Sequence, residues 1–281
     1  MSSVGSEARQ IGFTLIELLV ALGIFLLVTG AAFALLSSSQ QRYQTESQVL
    51  TSFQEARLAL DQIVRDVNDS GFPPPSFLIT GFPRNSSSSP FAWSLGAGYP
   101  GASCQIAPPG GGGNCTTATA GLTSPGDFDL IVETDPNPLD PSCPPNPCPV
   151  LWIRYQLQGT TLYRGTAQKA SGGDPDTATS TQLVPFVQNV VNNSSSGQIT
   201  QYQLAYPTMF PLNAPVPIFS YNCDTGGATT PCWSAGTNNA PANIRDVVVT
   251  LIVSTPTPDA KTGLPRIVQL NGRGRRVNPN Q

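Results

Sequence analysis

The sequence predicts an α+β fold: one long N-terminal α-helix packed on a mostly antiparallel β-sheet head. Three observations carry that expectation. No proline occurs before Pro73, so nothing breaks a helix between Phe13 and about Ser70. In the second half of that stretch Val49, Phe53, Ala56, Leu60, Ile63, Val64 and Val67 recur at spacings of three and four, which puts them on one helical face. Beyond residue 126 the period shortens to two, in short segments bounded by Gly, Pro and Asn clusters, as strands and turns require.

The helix opens on Gly12-Phe13-Thr14-Leu15-Ile16-Glu17 and continues as an apolar run to Leu36 in which Glu17 is the only ionisable side chain. At ~1.5 Å per residue this run is about 36 Å long, enough to cross a hydrocarbon core of ~30 Å. A charged side chain at mid-bilayer costs roughly 2.5–3.5 kcal/mol on insertion scales, so a carboxylate here marks a functional position. Gln48, Glu55, Arg57, Asp61 and Arg65 occupy the side opposite the apolar stripe of the second half. Asn68-Asp69-Ser70-Gly71 followed by Pro73-Pro74-Pro75 stops the helix. Ala32-Phe33-Ala34 would suit an ordinary signal peptidase, but the apolar run exceeds the h-region length of about 7–15 residues and the leader holds only Arg9 against Glu7. A plain membrane anchor is a further reading of the same run.

A short leader ending in Gly12, then Phe13-Thr14-Leu15-Ile16-Glu17 and an unbroken apolar run, resembles the class III signal of type IV pilins and type II secretion pseudopilins. The resemblance implies that a membrane-embedded prepilin peptidase cuts between Gly12 and Phe13 and that the Phe13 amine is N-methylated. It implies that Glu17 pairs with the Phe13 amine of a neighbouring subunit, since opposite charges attract strongly in low dielectric and each alone is penalised. It also implies a single-pass protein of the bacterial inner membrane, surrounded by lipid, with its head in the periplasm, which then joins other pilin or pseudopilin subunits. The expected organisation is a leader over 1–12, a transmembrane and assembly helix over 13–36, an amphipathic helix over 37–72, a Gly/Pro/Ser-rich loop region over 73–126, and a β-sheet head over 127–281 with a mobile C-terminal tail. Arg65-Asp66, Gly71-Phe72, Leu162-Tyr163-Arg164 and the strand Val247 to Val253 are similar to the larger minor subunits of that superfamily, the PilW and pseudopilin J group. Many pilins carry a proline in the membrane half of the helix, and this chain has none. The function so implied is a structural subunit that starts or caps a type IV pilus or a type II secretion pseudopilus. The alternative is a tip adhesin or DNA receptor carried on such a helix, with its site in loops 73–126 and 207–243.

The head is read strand by strand. Residues 73–126 are loop-like, with Ser86 to Ser89, Pro108-Pro109 and Gly110 to Gly113. In Asp127 to Glu133, Phe128, Leu130 and Val132 alternate with Asp127, Asp129 and Glu133, and Asp127 and Asp129 are expected on a solvated face. Leu151, Ile153, Tyr155 and Leu157 alternate with Trp152, Arg154 and Gln156, and Gly159-Thr160 turns the chain into Thr161 to Arg164 as a hairpin. Gln182 to Val191 contains Pro185, which predicts an edge strand or a bulge. Thr200, Tyr202, Leu204 and Tyr206 are expected on one face of another strand. Asp246 to Val253 is apolar on both faces, as in a central strand, and Arg266 to Leu270 ends the sheet.

Composition narrows the chemistry. Only 11% of residues are charged, histidine is absent and the net charge is −3, which argues against general nucleic-acid binding. Without histidine there is no His-based triad and no His metal ligand, and no phosphate-binding GxxxxGK[ST] occurs. The expectation is therefore a protein that is not an enzyme and has no cofactor. Asp135, Asn137 and Asp140 share one loop as a calcium candidate but lack EF-hand spacing. Cys104, Cys115, Cys143, Cys148, Cys223 and Cys232 all follow the apolar run and lie in loops, which reads as disulfides in an oxidising compartment. Neighbour pairing, Cys104–Cys115, Cys143–Cys148 and Cys223–Cys232, is favoured by ease of loop closure, though other connectivities exist. Arg273-Gly274-Arg275-Arg276 is expected to be a solvated, mobile end.

Overall fold

The computed structural model describes residues 13–72, 90–91, 126–135, 149–170, 174–224, 229–235, 241–259 and 262–276. The chain divides into two compact units, residues 1–48 and 49–281, with the boundary inside helix α1 (Leu15–Asn68). In the first unit almost every described side chain is exposed, including Leu19, Phe25, Leu27 and Phe33. In the second unit Ala56, Ala59, Leu60, Ile63 and Val67 of α1 are buried, with Phe53 and Val64 half-buried, so the apolar stripe of the sequence is the core-facing face. Gly71 ends the helix at φ +81°, a left-handed conformation that glycine adopts without steric cost. The reversed chain is at once tied to a strand, since Gly71 donates its N–H to the Glu133 carbonyl (2.8 Å) and Asp135 donates to that of Phe72 (2.9 Å).

The head holds two four-stranded antiparallel sheets, not the single sheet expected. The first comprises β1 (Asp129–Thr134), β2 (Leu151–Gln158), β3 (Thr161–Gln168) and β4 (Val184–Val187), in that spatial order. Its β2–β3 hairpin turns through Gly159-Thr160, with Gly159 at φ +59°. Pro185 sits in the edge strand β4 beside a register shift at Leu162/Tyr163, because proline supplies no N–H to a central ladder. The second sheet comprises β5 (Phe219–Asp224), β6 (Thr229–Pro231), β7 (Ile244–Ser254) and β8 (Ile267–Arg275), in the order β6-β5-β7-β8. The strand read as central, β7, lies between two neighbours and is buried along most of its length. Leu130, Val132, Ile153 and Tyr155 of the first sheet and Val247, Val249, Leu251 and Val253 of the second share one core with the buried face of α1. Cys223 and Cys232 form a disulfide closing the β5–β6 end.

Three further expectations are corrected. Residues around Thr200, Tyr202, Leu204 and Tyr206 form a helix, α3 (Ser196–Ala205), not a strand. Ser195 and Gln198 make a capping box at its start, and Ile199 and Tyr202, three apart, are its buried pair. The apparent two-residue alternation thus hid a one-turn spacing. Second, Asp129 is buried rather than solvated, and Glu133 on the same strand is buried too. A short helix, α2 (Pro175–Ser180), covers that face, and its Ala178 packs with Ile131, Trp152 and Ala167. Third, Arg273 and Arg275 belong to β8, paired with Val248 and Asp246, and Arg276 is buried, so no mobile tail begins at Arg273.

Two glycines set how closely β8 approaches the helix. A Cβ on Gly272 would lie 2.8 Å from Leu60 Cδ1, and one on Gly274 would lie 2.5 Å from Val67 Cγ1. Only residues without a side chain fit between this strand and α1 at those positions.

Candidate functional site

The first turn of α1 is built by its own sequence. Four N–H groups at a helix start lack intrahelical partners. Thr14 and Glu17 answer this reciprocally: the Thr14 N–H and hydroxyl donate to Glu17 Oε2 at 2.9 and 2.8 Å, and the Glu17 N–H reaches the Thr14 hydroxyl at 3.4 Å. This is a Thr-x-x-Glu capping box, and a carboxylate at that position also favours the helix dipole. Glu17 therefore has a local role besides any partner. Both bonds fall on Oε2, and Oε1 makes no hydrogen bond among the described residues. The carboxylate stands in an apolar setting, with Phe13 87%, Leu15 80% and Ile16 64% exposed. A helix apolar around its whole circumference and exposed along its length requires lipid or other helices to cover it.

Gly12, on the other side of the expected cleavage, lies outside the described residues, as do Cys104, Cys115, Cys143, Cys148, Asn137 and Asp140. Asp135 is described and buried. Among the described residues no group of three His, Cys, Asp or Glu side chains is arranged to hold a metal ion. Most of 73–126 is likewise outside the described residues, though Phe91 pairs with Val132 beside β1.

The head's titratable groups form ionic clusters. Asp66, near the end of α1, accepts from the Tyr155 hydroxyl (2.6 Å), Arg164 Nη2 (3.1 Å) and Gln62 Nε2 (2.7 Å), and Arg164 Nε also donates to the Tyr155 oxygen (3.0 Å). The Arg65-Asp66 and Leu162-Tyr163-Arg164 segments, noted separately in the sequence, thus meet in space. Burial, with Asp66 adding to it, holds the Tyr155 hydroxyl protonated well above the usual phenol range. On the opposite face of the first sheet the buried Arg154 grips Asp129 through Nε (2.9 Å) and Nη2 (2.6 Å), and its Nη1 donates to the Asp176 carboxylate and to Ser180 Oγ (2.8 Å). Burial pushes the Asp129 carboxyl up, against the pull of Arg154. Lys169 Nζ and Trp152 Nε1 both donate to Glu133, at 2.7 and 3.0 Å. In the second sheet Asp246 is paired with Arg273 and lies 3.6 Å from Arg275, while burial and the neighbouring Arg245 push Arg276 down to about 10. Each of these carboxylates is engaged by a cation or a neutral donor, so the clusters fasten α1, α2 and the strands to one another. Sequence reading missed them because it assigned Asp127 and Asp129 to a solvated face and the partners lie far away in the chain. Trp152, a bulky apolar residue among Asp129, Glu133, Arg154 and Gln156, was the available signal that something covers that face.

Comparison with known proteins bears chiefly on the N-terminus. A model described as the prokaryotic N-terminal methylation motif matches residues 8–33. That span contains Gly12, Phe13, the Thr14–Glu17 box and most of the exposed apolar run. No curated protein matches the chain. Among solved structures, a type IV-like pilin from Thermus thermophilus aligns at 10% identity and a TM-score of 0.37, over 81% of this chain and 97% of that chain. A superposition at that score carries no weight here, and the α+β architecture rests on the elements described above.

Proposed function

We propose that this chain is a pilin-type filament subunit: a single-pass membrane protein that is processed at its N-terminus and then transfers its apolar helix from lipid into a bundle of like helices. The observation that supports it is the coincidence of the methylation motif over residues 8–33 with a helix whose apolar side chains are exposed all round. On this reading a prepilin peptidase cuts between Gly12 and Phe13, and the new Phe13 amine is methylated in the inner membrane. The head, 49–281, faces the periplasm, where the Cys223–Cys232 disulfide persists. In the filament the amine of a neighbouring subunit meets Glu17 at Oε1, the oxygen that the Thr14 bonds leave open. The head is large, with two sheets and long loops, and such a head tiles poorly in a bulk helical array. That favours a minor subunit that starts or caps a pilus or a secretion pseudopilus.

The test is Glu17→Ala in the cells that produce the protein. The variant is expected to be cleaved and inserted normally and to be recovered in filaments at least tenfold less than the wild type. Normal recovery would remove the charge pair from the account.

A further inference from the structure

The first charge that follows Glu17 along α1 is Arg42, and Tyr43 stands beside it. The residues between, Leu18 to Gln41, carry no Asp, Glu, Lys or Arg. Arg42 and Tyr43 belong to the same compact unit as the apolar run, and both are exposed, Tyr43 to 75%. Among the described residues Arg42 makes no ion pair, although Glu46 follows one turn later, and the Tyr43 hydroxyl makes no hydrogen bond. Between Leu36 and Arg42 the chain passes through Ser37-Ser38-Ser39-Gln40-Gln41, polar but uncharged. Polarity thus rises in steps, from apolar to neutral polar to a cation beside a phenol. A chain leaving a bilayer meets hydrocarbon, then the interface, then phosphate in that same order.

The spacing makes the match quantitative. From Glu17 to Arg42 the helix rises about 37 Å at ~1.5 Å per residue. A hydrocarbon core is ~30 Å thick, and a bilayer with its headgroups ~40–45 Å. With the helix upright and the core centred between the two charges, each charge stands about 4 Å outside the hydrocarbon. Shifting the helix by one turn, ~5.4 Å, draws Arg42 into the hydrocarbon in one direction and Glu17 in the other. The apolar run alone sets a different depth. Centring Phe13 to Leu36 on the core would put Glu17 about 4 Å inside it.

Arg42 and Tyr43 suit the group found at the outer level. Side chains of an α-helix lean toward its N-terminus, so these two lean toward the membrane. A guanidinium presents a planar fork of donors to phosphate oxygens, and a tyrosine ring sits with its body in the interface and its hydroxyl toward water. A single exposed arginine holds no free anion firmly against water, but a helix already inserted in the bilayer meets phosphates at high effective concentration. We infer that Arg42 and Tyr43 form a phospholipid-headgroup site: they take a phosphate of the leaflet opposite Glu17 and set the depth of α1 before assembly, with both charges clear of the hydrocarbon. The inference rests on the membrane-spanning state proposed above and adds to it the lipid group and the residues that hold it.

The test reconstitutes the full-length protein in vesicles of phosphatidylethanolamine and phosphatidylglycerol. One preparation contains a lipid with a photoreactive diazirine on its headgroup, another a lipid with the diazirine at the end of its acyl chain, and labelled residues are mapped by mass spectrometry. The expected result is headgroup label within one turn of Tyr43 and acyl-end label centred on Thr29 and Gly30, midway between the two charges. In Arg42→Gln/Tyr43→Ala, whose head melts as the wild type does, the headgroup label on residues 39–46 falls at least tenfold and the acyl-end label moves toward Ile24 and Phe25. Arg42→Lys, which keeps the charge, keeps the acyl-end label in place. Headgroup label away from Tyr43, acyl-end label centred on Ile24 and Phe25 in the wild type, or a pattern unchanged by the double substitution would each overturn the inference while leaving the span intact. A chain that alkaline carbonate strips from the vesicles would overturn the membrane-spanning reading itself, and this site with it.

Discussion

Residues 13–48 and residues 49–276 place their apolar side chains in opposite circumstances, although one helix runs through both. In the head half of α1, Ile63 and Val67 are fully buried against two sheets. In the other half Leu26, Leu27 and Val28 are more than half exposed. The hydrophobic effect does not leave such a surface bare. Among the described residues the head half of α1 is covered by the head's own core, whereas nothing covers the apolar side chains of the first half. Stability assays should therefore read the second region, and localisation or assembly assays the first.

A pair of substitutions should separate the regions most sharply. Ile63→Asp removes a buried apolar side chain, worth about 2–5 kcal/mol, and adds an unpaired buried charge, so the head is expected to unfold at room temperature by circular dichroism. Leu26→Asp should leave the head's melting temperature within about 1 °C, because Leu26 touches no core, yet reduce membrane retention severely. Equal loss of head stability in both variants would erase the distinction.

Arg154→Ala is next in size. It leaves Asp129 and Asp176 buried without their cation, for an expected loss of about 3–5 kcal/mol in chemical denaturation. A loss below 1 kcal/mol would mean that water enters that face freely. Gly274→Ala follows, at about 1–3 kcal/mol, as Val67 and β8 separate to admit the new methyl group. Gly159→Ala is also strained at φ +59° but meets no neighbour, so it tests backbone strain alone and should cost less.

The smallest effect is alkaline. Tyr155 and Tyr221 are held protonated above the usual phenol value near 10 by burial. The folded head thus keeps two protons that the unfolded chain releases, so their stabilisation is complete below pH ~10 and is lost as pH rises beyond it. Arg276, pushed down to about 10, acts in the opposite sense, since the folded head loses there a proton that the unfolded chain keeps. Tyr202 is raised by burial in the same sense as the other two tyrosines, so the tyrosines outweigh Arg276 and stability is expected to fall as pH rises above about 10. Tyr221→Phe should flatten that limb, and an unchanged slope would assign it to other groups.

The legible parts of the fold were those where one interaction dominates. The helix was readable from Phe13 to Ser70 because no proline interrupts it and because its apolar stripe has one partner, the core. Pro185 marked the edge strand because proline cannot donate to a ladder. The clusters around Asp66, Arg154 and Asp246 were not readable, because each joins residues distant in sequence and its polar members mimic a solvated strand face. α3 was misread because the pair Tyr202 and Leu204, two apart, and the pair Ile199 and Tyr202, three apart, coexist in Ile199-Thr200-Gln201-Tyr202-Gln203-Leu204. At the N-terminus the motif and Glu17 were in plain view, yet the Thr14–Glu17 capping box that gives the carboxylate its first role was equally visible and was passed over.

The central claim concerns where the exposed helix begins and what becomes of its amine. Intact-mass analysis of the protein from its own membranes tests it most directly. The account predicts a chain that starts at Phe13 and carries one additional methyl group at its N-terminus. A chain that still begins upstream of Gly12, or one cut after Ala34 with the apolar run removed, would contradict it.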